Sequence, residues 1–291
     1  MKKLLLAIFL LPVFVTAQNK FTVAKDGSGD FKSVQEALDA VPAGKDKPFT
    51  IYIKNGTYKE VVVVDARKNF ITLIGEDKFK TILTYDNHAG TRLLNGDTLN
   101  TWTCASTFIY GNDFHAENLT FENTAGFSAG QAVGLRIEGN RASLKNCRIT
   151  GNQDILFLSG SGVKHYFENC YIEGTTDFIF GAATAVFKNC HIHSKKNSHV
   201  TAASTNSIIP YGFVFFECKL TADSTINKVP EGWNNWKNPA NELTVRYAEY
   251  NSSGPGANPV ARVKWSKQLT AEEASKYTLK SILGEWDPGK K

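Results

Sequence analysis

The sequence predicts an all-β solenoid, and three observations carry that prediction. A short strand recurs as HAENLTF (115–121), SLKNCRI (143–149), YFENCYI (166–172), VFKNCHI (186–192) and FFECKL (215–220). The Asn residues of the middle three stand 23 and then 20 residues apart, a spacing that suits one coil stacked on the last. Each unit puts β-branched or aromatic residues in short runs broken by Gly, Asn, Asp and Ser, with no helical period between them. A propeller blade would need roughly twice that length, and the Leu consensus of leucine-rich repeats is absent.

The elements follow in chain order. Residues 1–17 place Lys2 and Lys3 before an apolar run and end on Val15-Thr16-Ala17, the pattern of a secretory signal peptide. That run falls short of the roughly 18 apolar residues a membrane helix needs, so a soluble, exported protein is expected, periplasmic or extracellular, without a membrane partner. Residues 18–291 are expected to form one domain, since no linker divides them. DFKSVQEALDAVP (30–42) spaces Val34, Ala37, Leu38 and Val41 as a short amphipathic helix stopped by Pro42, a cap for the open end of the solenoid. FTIYIKNGTYKEVVVV (49–64) reads as two strands around an Asn-Gly turn. NSSGPGANP (251–259) is loop, and LTAEEASKYTLKSIL (269–283) reads as one or two helical turns.

Charge excludes little but points one way. Without Lys2 and Lys3 the 33 basic residues become 31 against 28 acids, a mild excess that suits an acidic polysaccharide better than a duplex. No Lys/Arg run of the kind nucleic-acid binders carry is present. Five cysteines in an exported chain invite disulfides, yet Cys147, Cys170 and Cys190 repeat one position of the coil. Side chains stacked on successive parallel strands point the same way about 4.8 Å apart, which is wrong geometry for a bridge. Free, buried thiols are expected.

The repeat also stacks two acids. NCRITGNQDILF (146–157) and NCYIEGTTDFIF (169–180) share N-C-x-I-x-G-x-x-D-x-x-F, so Asp154 and Asp177 lie eight residues beyond the Asn of their coils. On adjacent rungs they become neighbours, and two carboxyls in one site cannot both ionise easily. A protonated acid beside an ionised one supplies a proton donor together with a nucleophile or base. Asn197 holds the matching place in the third coil, so the acid ladder stops at two. From the repeat alone a catalytic pair, a calcium site and a turn-capping pair all stay open. Gln153 beside Asp154, and Gln131 one coil earlier, favour catalysis, because paired amides can donate to a developing oxyanion.

GTYKE (56–60), GQAVGLR (130–136), GNQDILF (151–157), DFIFG (177–181), VAKDGSGDFKSVQEAL near the start and PEGWNNW (230–236) together resemble the pectin methylesterase family. The resemblance spans nearly all of residues 18–291. It implies a right-handed parallel β-helix that hydrolyses methyl esters of homogalacturonan (pectin), a monomer with no metal or cofactor. It implies Asp177 as nucleophile, Asp154 as proton donor and then base, Gln131 and Gln153 as oxyanion donors, and Thr101 as a substrate contact. One family motif, L-G-R-P-W, is absent: KLTADSTINKV runs straight into PEGWNNW, about one coil short. The missing Arg would pair with the nucleophile and the missing Trp would stack on the sugar, and Arg246, Arg262, Lys219 and Lys228 are poor replacements. Reduced activity is therefore expected, or pectin binding without turnover.

Other features carry less. His191, His193 and His199 are read as surface histidines rather than metal ligands, and DGSGD (26–30) as a turn. Trp233 and Trp236 either flank a groove or fill the core, with packing the default.

Overall fold

The computed structural model describes residues 19–223 and 232–290. The leader, Lys228 and the first two residues of PEGWNNW lie outside them.

Three parallel sheets wrap one core. The first has ten strands, the second seven and the third six. One coil runs through Ala142–Lys145 in the first sheet, Arg148–Thr150 in the second and Leu156–Leu158 in the third. The next coil repeats this as Lys164–Glu168, Tyr171–Gly174 and Ile179–Gly181, and pairs with the previous one in parallel throughout. The β-helix expectation holds.

The N-C step of the repeat is the corner between the first and second sheets. Asn118, Asn146, Asn169 and Asn189 all adopt left-handed backbone, with φ between 51° and 58°. Asn tolerates that conformation better than most residues, so it turns the chain in a single step. The following Cys then points inward. All five cysteines are free and buried, and burial pushes the Cys147 and Cys190 thiols well above their usual range.

Aromatic rings form a spine along the axis. Phe167, Phe187 and Phe215 stack at 4.9 and 4.8 Å, and the column continues through Trp233, Tyr247 and Trp265 at 5.0, 5.0 and 5.6 Å. Trp233 thus fills the core and links Phe215 to Tyr247 in the stack. A helix, Val34–Ala40, caps the other end with Ser33 as its N-cap. The helices Ala271–Lys276 and Leu279–Leu283 lie in the predicted tail.

One element differs from expectation. Residues 49–64 are not a hairpin but three strands, Phe49–Ile53, Gly56–Lys59 and Val62–Val64, one in each sheet. Asn55-Gly56 turns a corner of the coil, and each strand pairs with the next rung rather than with its neighbour in sequence. The Asn-Gly signal marks a reversal of direction but not what the next strand pairs with.

Candidate active site

Pairing of Leu156–Leu158 with Ile179–Gly181 aligns Leu156 with Ile179 and Phe157 with Phe180. Asp154 and Asp177 each precede this ladder by two residues and are in register. The Asp154 N–H donates to the Thr176 carbonyl at 3.1 Å, which ties the two corners together. Both aspartates are left-handed, at φ 62° and 47°, because the chain must leave the second sheet and enter the third within a few residues. Such backbone costs on the order of 1–3 kcal/mol per residue and gathers at working sites. Gly181, closing DFIFG, has φ 122°, and a Cβ there would stand 2.1 Å from the Leu158 carbonyl oxygen. Only glycine lets the two rungs close up behind the acids.

The third rung corrects the expected neighbour. Ile179 aligns with Thr201, and the Asp177 N–H donates to the His199 carbonyl at 2.9 Å, so His199 rather than Asn197 follows Asp177. Six residues, 195–200, connect the second and third sheets there, against four, 175–178, in the coil before. Two extra residues in a corner shift the register that counting from Asn189 predicts.

The acids are electrically unequal. Burial first, and the Asp177 charge second, push the Asp154 carboxyl up to about 7. Burial also raises Asp177, but the Asn234 amide and the nearby His199 imidazole pull it back. Asp154 therefore holds the shared proton and Asp177 ionises first. A stability consequence follows: a folded value near 7, against 3.8 for an ordinary Asp, means that stability from this proton is complete below about pH 4 and is lost as pH rises through 7. Asp154→Asn removes that loss and is expected to stabilise the fold by roughly 2–4 kcal/mol at pH 8, about 1.4 kcal/mol for each unit, and by little at pH 4. Urea midpoints at the two pH values check it; equal shifts would refute it.

Asn234 is the residue that sequence reasoning missed. Its Nδ2 donates to both oxygens of Asp177, at 3.2 and 3.0 Å. It arrives because residues 232–234 run beside Thr201–Ala203: Thr201 bridges Trp233, and the Asn234 N–H donates to the Thr201 carbonyl at 2.8 Å. This segment thus supplies a neutral amide to the Asp177 carboxyl. Arg246 instead binds the carbonyls of Leu243, Thr244 and Ser207, and buried Arg262 pairs with Glu249 at 2.9 Å. No pattern in the sequence marks Asn234, since its partner lies 57 positions away.

Gln131 and Gln153 meet on adjacent rungs through a parallel bridge, and the Gln153 side chain bonds Asp154 and eases its carboxyl downward. Both amides stand on the rungs leading to Asp177, as an oxyanion site requires. Thr101 sits on a neighbouring turn: the Cys104 thiol reaches the Thr101 carbonyl at 3.9 Å and that of Gln131 at 3.7 Å.

Beside the acids, the outer face of the third sheet is an aromatic floor. Phe157 and Phe180, three residues past each acid, stack at 4.4 Å, with Trp102 4.7 Å from Phe157 and Trp236 6.3 Å from Phe180. Trp236 is 43% exposed where Trp233 is buried, so the two tryptophans have opposite fates. Arg136, from GQAVGLR, lies 5.3 Å over Phe157 and donates to Glu138 at 2.5 Å. The terminal Phe of the twelve-residue repeat was the visible sign of this floor.

The pectinesterase family profile matches residues 20–229 and 223–285. Among curated relatives, Pectinesterase 31 of Arabidopsis thaliana is 38% identical over 295 residues, covering 90% of this chain and 91% of the relative. Putative pectinesterase 11 of Arabidopsis thaliana is also 38% identical, covering 91% and 79%. Among solved structures, the pectin methylesterase from carrot superposes with a TM-score of 0.77 at 31% identity, over 91% of this chain and 93% of that one. A pectin methylesterase solved with a hexasaccharide gives 0.79 at 27% identity, over 92% and 97%.

Proposed function

Since this chain belongs to the pectinesterase family, we propose that it hydrolyses the C6 methyl esters of homogalacturonan to pectate and methanol. The observation that carries the reading is the in-register pair Asp154–Asp177. The ionised Asp177 oxygen attacks the ester carbonyl, whose oxygen becomes an oxyanion facing the Gln131 and Gln153 amides. Asp154 gives its proton to the departing methoxy group, and methanol leaves an anhydride between Asp177 and the galacturonate carboxyl. Asp154, now ionised, takes a proton from water; the hydroxide adds to the galacturonate carbonyl of the anhydride and expels the Asp177 carboxylate, and the galacturonic acid so formed gives its proton to solvent. The leader at 1–17 supports export of the protein to its polymer.

Turnover is weakened by Asn234. A neutral amide orients Asp177 but stabilises its charge less than a cation would, so a smaller share of the nucleophile is ionised at mildly acidic pH. Methanol release from methylated pectin tests both points. Wild type should show low but measurable release that falls above about pH 7 as Asp154 loses its proton. Asn234→Arg is expected to raise the rate by about tenfold, a gain of roughly 1.4 kcal/mol, and to extend activity to lower pH. An unchanged acid limb would refute the role given to Asn234. The neutral partner also favours a second reading, pectin binding without turnover, which tight polymer binding with no methanol from either protein would establish.

A further inference from the structure

A second cleft lies on the outer face of the second sheet, at the opposite end of its strands from the acids. Its floor is one side-chain column, Arg148, Tyr171 and His191, with one residue from each rung, which Thr120 and Lys219 continue by one rung past the cleft at either end. The exposed amides of Asn169 and Asn189 edge it at the left-handed corners. Its wall is the loop bearing Lys78 and Phe79, held down by a bond from the Thr120 hydroxyl to the Lys78 carbonyl at 2.5 Å. The volume is about 430 Å3.

The charges here are unusual. Among the described residues Lys78, Arg148 and Lys219 have no carboxylate at ion-pair distance. The Lys78 ammonium donates to the Asn146 side chain at 2.5 Å, and the Arg148 guanidinium lies 5.1 Å from the Phe79 ring and 5.5 Å from Tyr171. Rings against a guanidinium face fix its plane, and beyond the long bond from Arg148 Nη1 to the Thr120 hydroxyl oxygen at 3.4 Å its other N–H groups can meet a planar anion. The nearest acids do not quench this: Glu173 accepts from the Tyr171 hydroxyl at 2.7 Å and sits 3.6 Å from Lys195, while Glu217 marks the far corner. Phe79 is 62% exposed, an apolar ring surface open to solvent.

We propose that this cleft is a second binding site for a linear, unesterified polyuronate, with Lys78, Arg148 and Lys219 taking sugar carboxylates and Phe79 and Tyr171 taking ring faces. Rungs about 4.8 Å apart put Lys219 three rungs, roughly 14 Å, from Arg148, a span that a chain of several sugar units covers, and amides along the edge suit hydroxyls. The proposal rests on the esterase reading, because each turnover there creates one carboxylate. The new charge is attracted here. Six residues separate Arg148 from Asp154, at most about 20 Å of extended chain, so one polymer can touch both places.

An unesterified galacturonate hexamer is the probe. Trp102 and Trp236 line the esterase floor while the second cleft has no tryptophan, so fluorescence reads the first site and calorimetry reads both. Wild type should bind two hexamers. Lys78→Gln/Arg148→Gln should lose the second, or weaken it by about tenfold or more, with the tryptophan response, melting temperature and methanol release from a short methylated oligomer unchanged. Unchanged calorimetry in the double variant would overturn the proposal, as would equal binding of the fully methylated hexamer there, or displacement by an equal concentration of sulfate. Loss of the second site in a protein that releases no methanol would sink the esterase reading and leave the cleft standing; release of methanol with one binding event would do the reverse.

Discussion

Asp177→Asn is expected to lower methanol release by at least about 10³-fold, because removing a nucleophile leaves only binding and the oxyanion donors to act. The substitution keeps the size and shape of the side chain, and the new amide oxygen can still accept from Asn234. Burial raises the Asp177 carboxyl, so taking its charge away costs the fold nothing at neutral pH. Melting temperature should hold or rise while turnover disappears, and that pairing separates a chemical role from a structural one. Methanol release within a few fold of wild type would remove Asp177 from the mechanism. Loss of activity together with a lower melting temperature would assign it to the corner it turns rather than to the ester.

Phe187→Ala is the substitution expected to damage the fold most. Phe187 is fully buried, stacked within 4.9 Å of Phe167 and 4.8 Å of Phe215, with Phe213 against its edge at 6.1 Å. Truncation removes its buried surface and two stacked pairs and leaves a cavity that flanking rungs cannot close without breaking backbone ladders. The cost is about 3–5 kcal/mol, a large part of the roughly 5–15 kcal/mol that holds a typical domain together. A denaturant midpoint measures it, and Phe187→Leu should recover part of the loss by refilling the cavity. A loss under about 1 kcal/mol for the Ala variant would mean that the spine is not what holds neighbouring coils in register.

The coil explains why these two effects meet in one molecule. Asp177 stands two residues before Ile179–Gly181, and Phe187 lies in Thr184–Lys188, the strand that follows and opens the next coil. Backbone ladders transmit register from the packed core to the corners where the acids sit. Shape inside the solenoid thereby sets geometry outside it.

What could be read from residues alone was whatever the repeat carries. Asp154 and Asp177 fall side by side because 23 residues separate them and the ladder returns with that period, so counting was enough. The inward cysteines, the capping helix at Val34–Ala40 and the stacking of Gln131 on Gln153 were legible for the same reason, since each depends on local spacing. Counting failed where the period broke. Two additional corner residues put His199, not Asn197, next to Asp177, and residues 49–64 entered three sheets instead of folding back. Only the tertiary structure decided that Trp233 fills the axis while Trp236 faces outward, and that Asn234 binds the Asp177 carboxyl. Those outcomes depend on where a non-repeating segment rejoins the stack, and no spacing within the segment encodes the rung that it will meet.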